Sequence, residues 1–344
     1  MASHFTCPPP EYLTVTGGTQ SDRKSNIQAH AQPIPPCSLN SPNEPTPSPK
    51  PGDGGNPGVR AERIAQCRDP ASTVRPVPEE TKGPPRIAIL LNSYRSRLLP
   101  AIRGSYRRTI GTVAPHAQLA FYEPANRPGE FPNPDYFDLV VLGGSNIDPR
   151  NRYPWILEVH EFVRRMVRDY PHKKLLGICW GHQTISNVFG GKLVDAAVPE
   201  MGVASVELTP RGRDFFYEAA MTGSFKLQQH HRREVAVAPY GFTPLAHGNQ
   251  CFLSESNSVL TFQGHPEKDA ETARLRLHDS IPWFGFDAIS DETAWAHLVM
   301  LIDTPHDGEM VWRRIFEWVR EPYSEAGTTQ QKAALALAEN ASKM

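Results

Sequence analysis

The chain has 344 residues, and 36 lysines and arginines nearly balance 37 aspartates and glutamates for a formal net charge of −1. Because the two signs are interspersed, the composition disfavours nucleic acid or an anionic membrane as the main partner and favours a small-molecule substrate. The five cysteines are odd in number and widely spread, which favours neither a disulfide framework nor a zinc site. With no apolar run long enough for a signal peptide or a membrane span, we expect a cytoplasmic protein.

The composition changes along the chain and predicts one folded domain between two tails. Residues 1–85 contain half of the 34 prolines, and proline supports neither a helix interior nor a sheet ladder, so this segment is predicted to be a disordered, proline-rich N-terminal arm. Residues 86–320 are long enough to bury one core and are predicted to form the catalytic domain. Residues 321–344 form a C-terminal tail whose alanine-rich end either docks or frays.

In chain order, the first half of this domain alternates between apolar runs and amphipathic stretches. Strands are predicted at 86–92, 118–122 and 137–142, with a helical stretch up to about residue 114. A helix is predicted at 155–170, where Ile156, Val159 and Val163 recur at steps of three and four residues. A further apolar strand ends at Cys179 and leads into a short helix.

The second half of the domain contains mostly short strand candidates. They lie at 192–195, 205–208, 225–228, 235–238, 244–247, 251–254 and 259–263, followed by long loops over 281–307 and a tail helix at 308–320. Alternation first and clustered strands later predict an α/β fold: a doubly wound, mostly parallel sheet flanked by helices, with a small antiparallel extension.

Cys179 stands where an apolar strand changes into a helix, with Gly177 and Gly181 two residues to either side. Such a turn lifts its central side chain clear of the sheet, and glycines remove the Cβ atoms that would clash in it. The helix N-terminus is expected to lower the pKa of the thiol. We therefore predict that Cys179 is a nucleophile, whereas Cys251, in a plain strand, is predicted to be a small core residue.

His265 and Glu267 supply a base and an acid downstream. In an extended segment residues two apart point to the same side, and Pro266 favours that geometry, so the carboxylate can orient the imidazole. Cys179, His265 and Glu267 thus form the nucleophile, base and orienting group of a predicted catalytic triad. His182, on the helix after the nucleophile, is predicted to pack in the core or to support the site residues from behind.

Two runs together resemble the class I glutamine amidotransferase domain: Gly-Ile-Cys-Trp-Gly-His-Gln at 177–183 and Gly-His-Pro-Glu at 264–267. The signature of that domain is a G-x-C-x-G-x-Q elbow followed by H-P-E at about the separation seen here, where Cys179 and His265 are 86 residues apart. The resemblance covers roughly residues 86–320 and is strongest to the stand-alone, GMP-synthetase-like branch. It implies a flavodoxin-like fold. It also implies that the N–H groups of Gly144 and Trp180 form an oxyanion hole and that Gly143 and Gln183 contact the substrate.

Two further features are compared with the family. Its members often carry proline soon after the second glycine of the Gly143 loop, where this chain has Ser145 and Asn146. His230 and His231 fall in a predicted loop, 228–233, that borders the glutamine pocket in the family, which makes them weaker candidates for substrate contact.

The resemblance implies an enzyme that hydrolyses the glutamine side-chain amide through a γ-glutamyl thioester, with no metal or cofactor. Because no phosphate-binding loop or second folded unit is apparent, the ammonia is expected to pass to a separate acceptor synthetase, for amidation of a small carboxylic precursor in specialised metabolism. Two alternatives remain open: a γ-glutamyl peptidase acting on glutathione-type conjugates, and a catalytically silent regulatory protein.

Overall fold

The computed structural model describes residues 83–284 and 292–341, so the predicted N-terminal arm lies almost entirely outside the described residues. The strands are β1 (Arg86–Leu90), β2 (Gln118–Tyr122), β3 (Leu139–Leu142), β4 (Lys174–Ile178), β5 (Lys192–Glu207), β6 (Ser224–Val237), β7 (Phe242–Pro244), β8 (Cys251–Ser254) and β9 (Val259–Phe262). The helices are α1 (Leu99–Val113), α2 (Pro154–Asp169), α3 (Trp180–Val188), α4 (Pro210–Phe215), α5 (Ala270–Phe284), α6 (Glu292–Asp303), α7 (Gly308–Arg320) and α8 (Glu325–Ala341).

Seven strands form one sheet in the order β2-β1-β3-β4-β9-β8-β7. The pairs from β2 to β9 are parallel, whereas β8 pairs antiparallel with β9 and β7 pairs antiparallel with β8. The predicted fold class, a mostly parallel α/β sheet with a small antiparallel part, is confirmed. None of the helices in the described ranges is long and apolar enough to cross a membrane.

Helices cover both faces of the sheet, which explains why its strands are continuously apolar. Ile87 and Ile89 pack in the core layer that contains residues of α1 and α7, whereas Ala88 and Leu90 pack in the layer that contains residues of α2, α3 and α8. Successive residues of a strand point to opposite faces, so a doubly covered strand needs an apolar residue at every position. Burying each large aliphatic side chain contributes about 1.5–3 kcal/mol to folding.

The region predicted as four short strands is instead one two-stranded antiparallel ribbon. β5 pairs with β6 along nearly their full length, with register shifts near residues 192–193 and 195–200. The prediction of a loop at 228–233 is therefore wrong, because these residues lie within β6. The sequence pattern did not predict a strand here, because these side chains are polar. The strand forms nonetheless, since ladder hydrogen bonds join backbone groups and do not depend on hydrophobic alternation.

Two helices lie where the sequence indicated less regular structure. α6 falls within the predicted loop 281–307, and its Ile302 packs with Met201 of the ribbon and with Leu277 of α5. Within the predicted tail, α8 docks on the domain, because Leu335 joins the core layer next to α2. Gln331 of α8 also accepts a hydrogen bond from the buried hydroxyl of Ser256.

Candidate active site

The predicted site residues follow the carboxyl ends of three adjacent parallel strands: Gly144 follows β3, Cys179 follows β4 and His265 follows β9. β4 lies between β3 and β9, with Gly177 opposite Leu142 and Ile178 opposite Phe262. Cys179 comes directly after β4, and the Cys179 N–H donates to the Phe262 carbonyl oxygen at 2.8 Å. Parallel strands end at one common edge, which is where open α/β sheets place ligand sites.

Cys179 adopts a strained backbone conformation, with φ 53° and ψ −101°. Few non-glycine residues adopt such angles, which cost about 1–3 kcal/mol and persist only where surrounding structure enforces them. The two flanking glycines permit the turn. A Cβ on Gly177 would lie 2.7 Å from Ile185 Cδ1, and one on Gly181 would collide with the carbonyl oxygen of Leu142.

His265 is held by its neighbours on two sides. Its Nδ1 atom lies 2.7 Å from Oε1 of Glu267, and its backbone N–H donates to the Gln228 carbonyl oxygen at 2.8 Å. The side chains of Cys179, His265 and Glu267 are all buried. The Nε2 atom of His265 has no hydrogen-bond partner among the described residues, so it remains available to a reacting group.

Cys179 and His265 face the same cavity, together with Gly144 and Glu267. A Cβ on Gly144 would lie 3.4 Å from His265 Cε1 and 4.0 Å from Cys179 Cβ. Folding therefore brings together, around one small space, two side chains that are 86 residues apart in the chain. A nucleophile and a base that meet in this way are equipped for acyl transfer.

The thiol and the imidazole are both neutral near pH 7. Burial raises the pKa of Cys179 to about 11, although the Lys268 ammonium and the Trp180 N–H act to lower it. The expectation that the helix N-terminus would lower this pKa is wrong, because desolvation outweighs it. Burial, reinforced by Lys268, lowers the pKa of His265 to about 4. Burial acts to raise the pKa of Glu267, but the interaction and hydrogen bond with His265 and the charge of Lys268 outweigh it and hold that pKa below its usual value.

The two predicted oxyanion donors, the N–H groups of Gly144 and Trp180, differ in what they contact. The Gly144 N–H has no hydrogen-bond acceptor within the described residues, and the Trp180 N–H is directed at the Cys179 sulfur. The Trp180 side chain is buried and stacks on Trp155, so its backbone alone serves the site. Gly143 does not line the cavity, because its N–H donates to the Leu90 carbonyl oxygen at 3.0 Å within the end of the sheet.

A second, adjoining cavity contains the other predicted substrate residues. Gln183 lines it, and its Nε2 donates to the carbonyl oxygen of Arg233 at 2.9 Å and to Oε1 of Gln263 at 3.1 Å. His230 and His231 line it as well. His230 also borders the first cavity, and its carbonyl oxygen accepts from the Cys179 thiol at 3.7 Å.

His182 and the Gly143 loop have structural roles. The Nδ1 atom of His182 lies 2.8 Å from Oγ1 of Thr261 and its ring stacks on Phe252, in line with the predicted packing role. The Asn146 amide oxygen accepts a 2.5 Å hydrogen bond from Nη2 of Arg276. This hydrogen bond ties the loop that follows β3 to α5.

Sequence reasoning missed Lys268 and Arg276, which are buried and line the first cavity. Lys268 directly follows the triad carboxylate, so a charged residue at the end of the motif was the available signal. Arg276 gave no signal, because α5 was not predicted as an element. Among the residues that the structure describes, no group of three or more His, Cys, Asp or Glu side chains is arranged to hold a metal ion.

Comparisons with known proteins show which family this chain resembles. The family model for glutamine amidotransferase class-I matches residues 124–280, which include Cys179 and His265. The glutamine amidotransferase-like protein chyE of Penicillium rubens is 34% identical over 239 residues, covering 69% of this chain and 97% of that protein. Gamma-glutamyl peptidase 3 of Arabidopsis thaliana is 32% identical over 153 residues, or 42% of this chain and 61% of that protein.

A crystal structure of a glutamine amidotransferase from Thermotoga maritima has the same fold. It superposes with a TM-score of 0.51 at 17% sequence identity, covering 68% of this chain and 95% of that one.

Proposed function

Because this chain belongs to the class I glutamine amidotransferase family, we propose that it hydrolyses the side-chain amide of glutamine with Cys179 as nucleophile, His265 as general base and Glu267 as the orienting carboxylate. One observation carries the proposal: a thiol in a strained strand-to-helix turn faces the same cavity as an imidazole whose other nitrogen contacts a buried carboxylate.

The first step starts from the neutral pair. As Cys179 Sγ attacks the γ-carbonyl carbon, its proton passes to Nε2 of His265, and the carbonyl electron pair moves onto oxygen. The N–H groups of Gly144 and Trp180 are proposed to stabilise that oxyanion, and one such donor is worth about a hundredfold in rate. The negative charge of Glu267 stabilises the imidazolium that forms.

The second step splits the carbon–nitrogen bond. The leaving nitrogen takes the proton from His265 and departs as ammonia, which leaves a γ-glutamyl thioester on Cys179. Water then gives a proton to His265 and attacks the thioester. The sulfur leaves, recovers the proton and releases glutamate.

A glutamine-shaped electrophile such as 6-diazo-5-oxo-norleucine tests this assignment. We expect it to inactivate glutamate release and to label Cys179, as mapped by mass spectrometry of the digested protein. Cys251→Ala is the matched control, because Cys251 is also a buried thiol but lies within β8. The control should label normally and Cys179→Ala should not label. Modification at another residue would overturn the assignment.

The use of the ammonia is a further part of the proposal. We propose that a separate acceptor enzyme consumes it, in the amidation of a small carboxylic precursor. The similarity over 97% of a fungal glutamine amidotransferase-like protein supports this. Cells that express the wild-type chain and receive amide-¹⁵N glutamine should convert the carboxylic precursor into a ¹⁵N-labelled amide. The label should be lost with Cys179→Ala, and its persistence would refute the transfer.

The γ-glutamyl peptidase alternative uses the same steps with a larger leaving amine, and a peptidase relative at 32% identity supports it. The two activities are separated by the ratio of kcat/KM for glutamine to that for a γ-glutamyl peptide. A catalytically silent role is disfavoured, because the structure keeps the base unblocked beside the thiol.

A further inference from the structure

Two cavities meet at the thiol of Cys179, and different residues line them away from the sulfur. Both include Cys179, His230 and the loop residues Ser145 and Asn146. The first cavity then extends past His265 along α1 and the start of α5, and the second extends past Gln183 along β6. A substrate whose scissile amide lies at the sulfur therefore meets a cavity on either side.

The chemistry fixes which part of the substrate lies on which side. The leaving nitrogen takes its proton from His265, so it must lie within hydrogen-bond reach of Nε2, on the side of the first cavity. The γ-glutamyl part then lies toward Gln183 in the second cavity. Glutamine itself would place only ammonia on the His265 side and would leave the rest of the first cavity unused.

Lys268 places a positive charge in this unused part of the first cavity. The side chain is 5% exposed and lines the first cavity. Among the described residues, no carboxylate oxygen lies within ion-pair distance of its ammonium, and its side chain makes no hydrogen bond. The neighbouring Glu267 is bonded to His265 instead. Burial lowers the pKa of Lys268 to about 8, so the group is mostly charged at pH 7.

A buried charge without a hydrogen-bonded counter-ion is destabilising, and a bound anion offsets that cost. The cavity also presents the Tyr106 hydroxyl, which is buried and has no hydrogen-bond partner among the described residues. Burial, together with the nearby Glu267, raises its pKa well above the usual value, so it remains a donor. An ammonium and a hydroxyl donor that line the same cavity suit a carboxylate.

On the basis of the proposed function, we propose that Lys268 binds a carboxylate on the leaving amine, so that besides glutamine the site hydrolyses γ-glutamyl amides of amino acids or peptides. Cys179 Sγ attacks the γ-carbonyl carbon, the carbon–nitrogen bond breaks, and the amino acid or peptide leaves with the proton from His265. Water hydrolyses the thioester to glutamate.

A pair of substrates that differ only in this charge tests the proposal. We expect wild-type kcat/KM to be at least about tenfold higher for γ-glutamylglycine than for γ-glutamylglycinamide. In Lys268→Met the value for the acid should fall by about 10- to 100-fold, and the value for the amide by less than about threefold. Lys268→Arg should retain the preference, and Lys192→Met, at an exposed lysine of β5, should change neither value.

The outcomes separate this inference from the proposed function. Equal losses on both substrates would show that Lys268 acts on Cys179 or His265, and would overturn the carboxylate site. Hydrolysis of glutamine without hydrolysis of either dipeptide would also overturn it and leave the proposed function standing. Failure of the glutamine-shaped electrophile to label Cys179 would remove both. The wild-type preference needs no variant and tests the site even if Lys268→Met does not fold.

Discussion

The resting protonation of the site can be tested by alkylation of the thiol at different pH. With a pKa of about 11 for Cys179, only about one thiol in 10⁴ is ionised at pH 7. Iodoacetamide reacts with the thiolate, so its rate with Cys179 should rise about tenfold per pH unit between pH 6 and 9. A thiolate paired with protonated His265 would instead react at a nearly constant rate from pH 5 to 8.

The assay uses a chain in which Cys7, Cys37 and Cys67 are replaced by serine, so that thiols outside the described residues do not contribute. The modified fraction of the Cys179 peptide is followed by mass spectrometry, and Cys251 serves as an internal buried reference, since burial raises its pKa well above the usual value. A rate at Cys179 that is independent of pH in the neutral range would refute the neutral pair.

Three other predictions concern the triad and the fold. Glu267→Gln keeps the size of the side chain but removes the charge that stabilises the imidazolium, so kcat should fall by about 10²- to 10⁴-fold while the melting temperature changes little. Gly181→Ala should destabilise the protein by about 3 kcal/mol in urea unfolding, because its Cβ meets a backbone carbonyl, whereas Gly111→Ala, with open space in α1, should stabilise it by about 0.5–1 kcal/mol. Leu335→Ala should cost about 2–4 kcal/mol if α8 is part of the core, and Leu337→Ala, 61% exposed on the same helix, less than about 0.5 kcal/mol.

Each of these has an outcome that contradicts it. Full activity in Glu267→Gln would show that the carboxylate does not serve the base. Equal effects of the two glycine substitutions would remove the steric account of the elbow. Equal, small effects of the two leucine substitutions would show that α8 adds little to stability.

The sequence determined the parallel part of the sheet and the residues at its edge. Strands buried on both faces need apolar residues at every position, so runs such as 86–92 and 137–142 predicted β1 and β3 closely. Cys179 and His265 were recognisable because a glycine-flanked thiol and a histidine close to a glutamate carry local geometric requirements that can be read without the fold.

The ribbon and the helices after β9 were not recognisable in the same way. β5 and β6 are joined by backbone hydrogen bonds and carry many polar side chains, so they lack the alternation that marks a half-buried strand. α6 packs on the ribbon, and its place in the fold depends on that partner.

Tertiary structure alone decided the electrostatics of the site. The sequence placed Cys179 at a helix N-terminus, which favours a low thiol pKa, but burial by distant segments reversed the direction of the shift. It also gave Lys268 no role, because a lysine becomes a candidate ligand only when folding buries it in a cavity without an ion-paired carboxylate among the described residues. Local sequence can specify which groups are present, whereas their desolvation and neighbouring charges arise from segments that meet only in the folded chain.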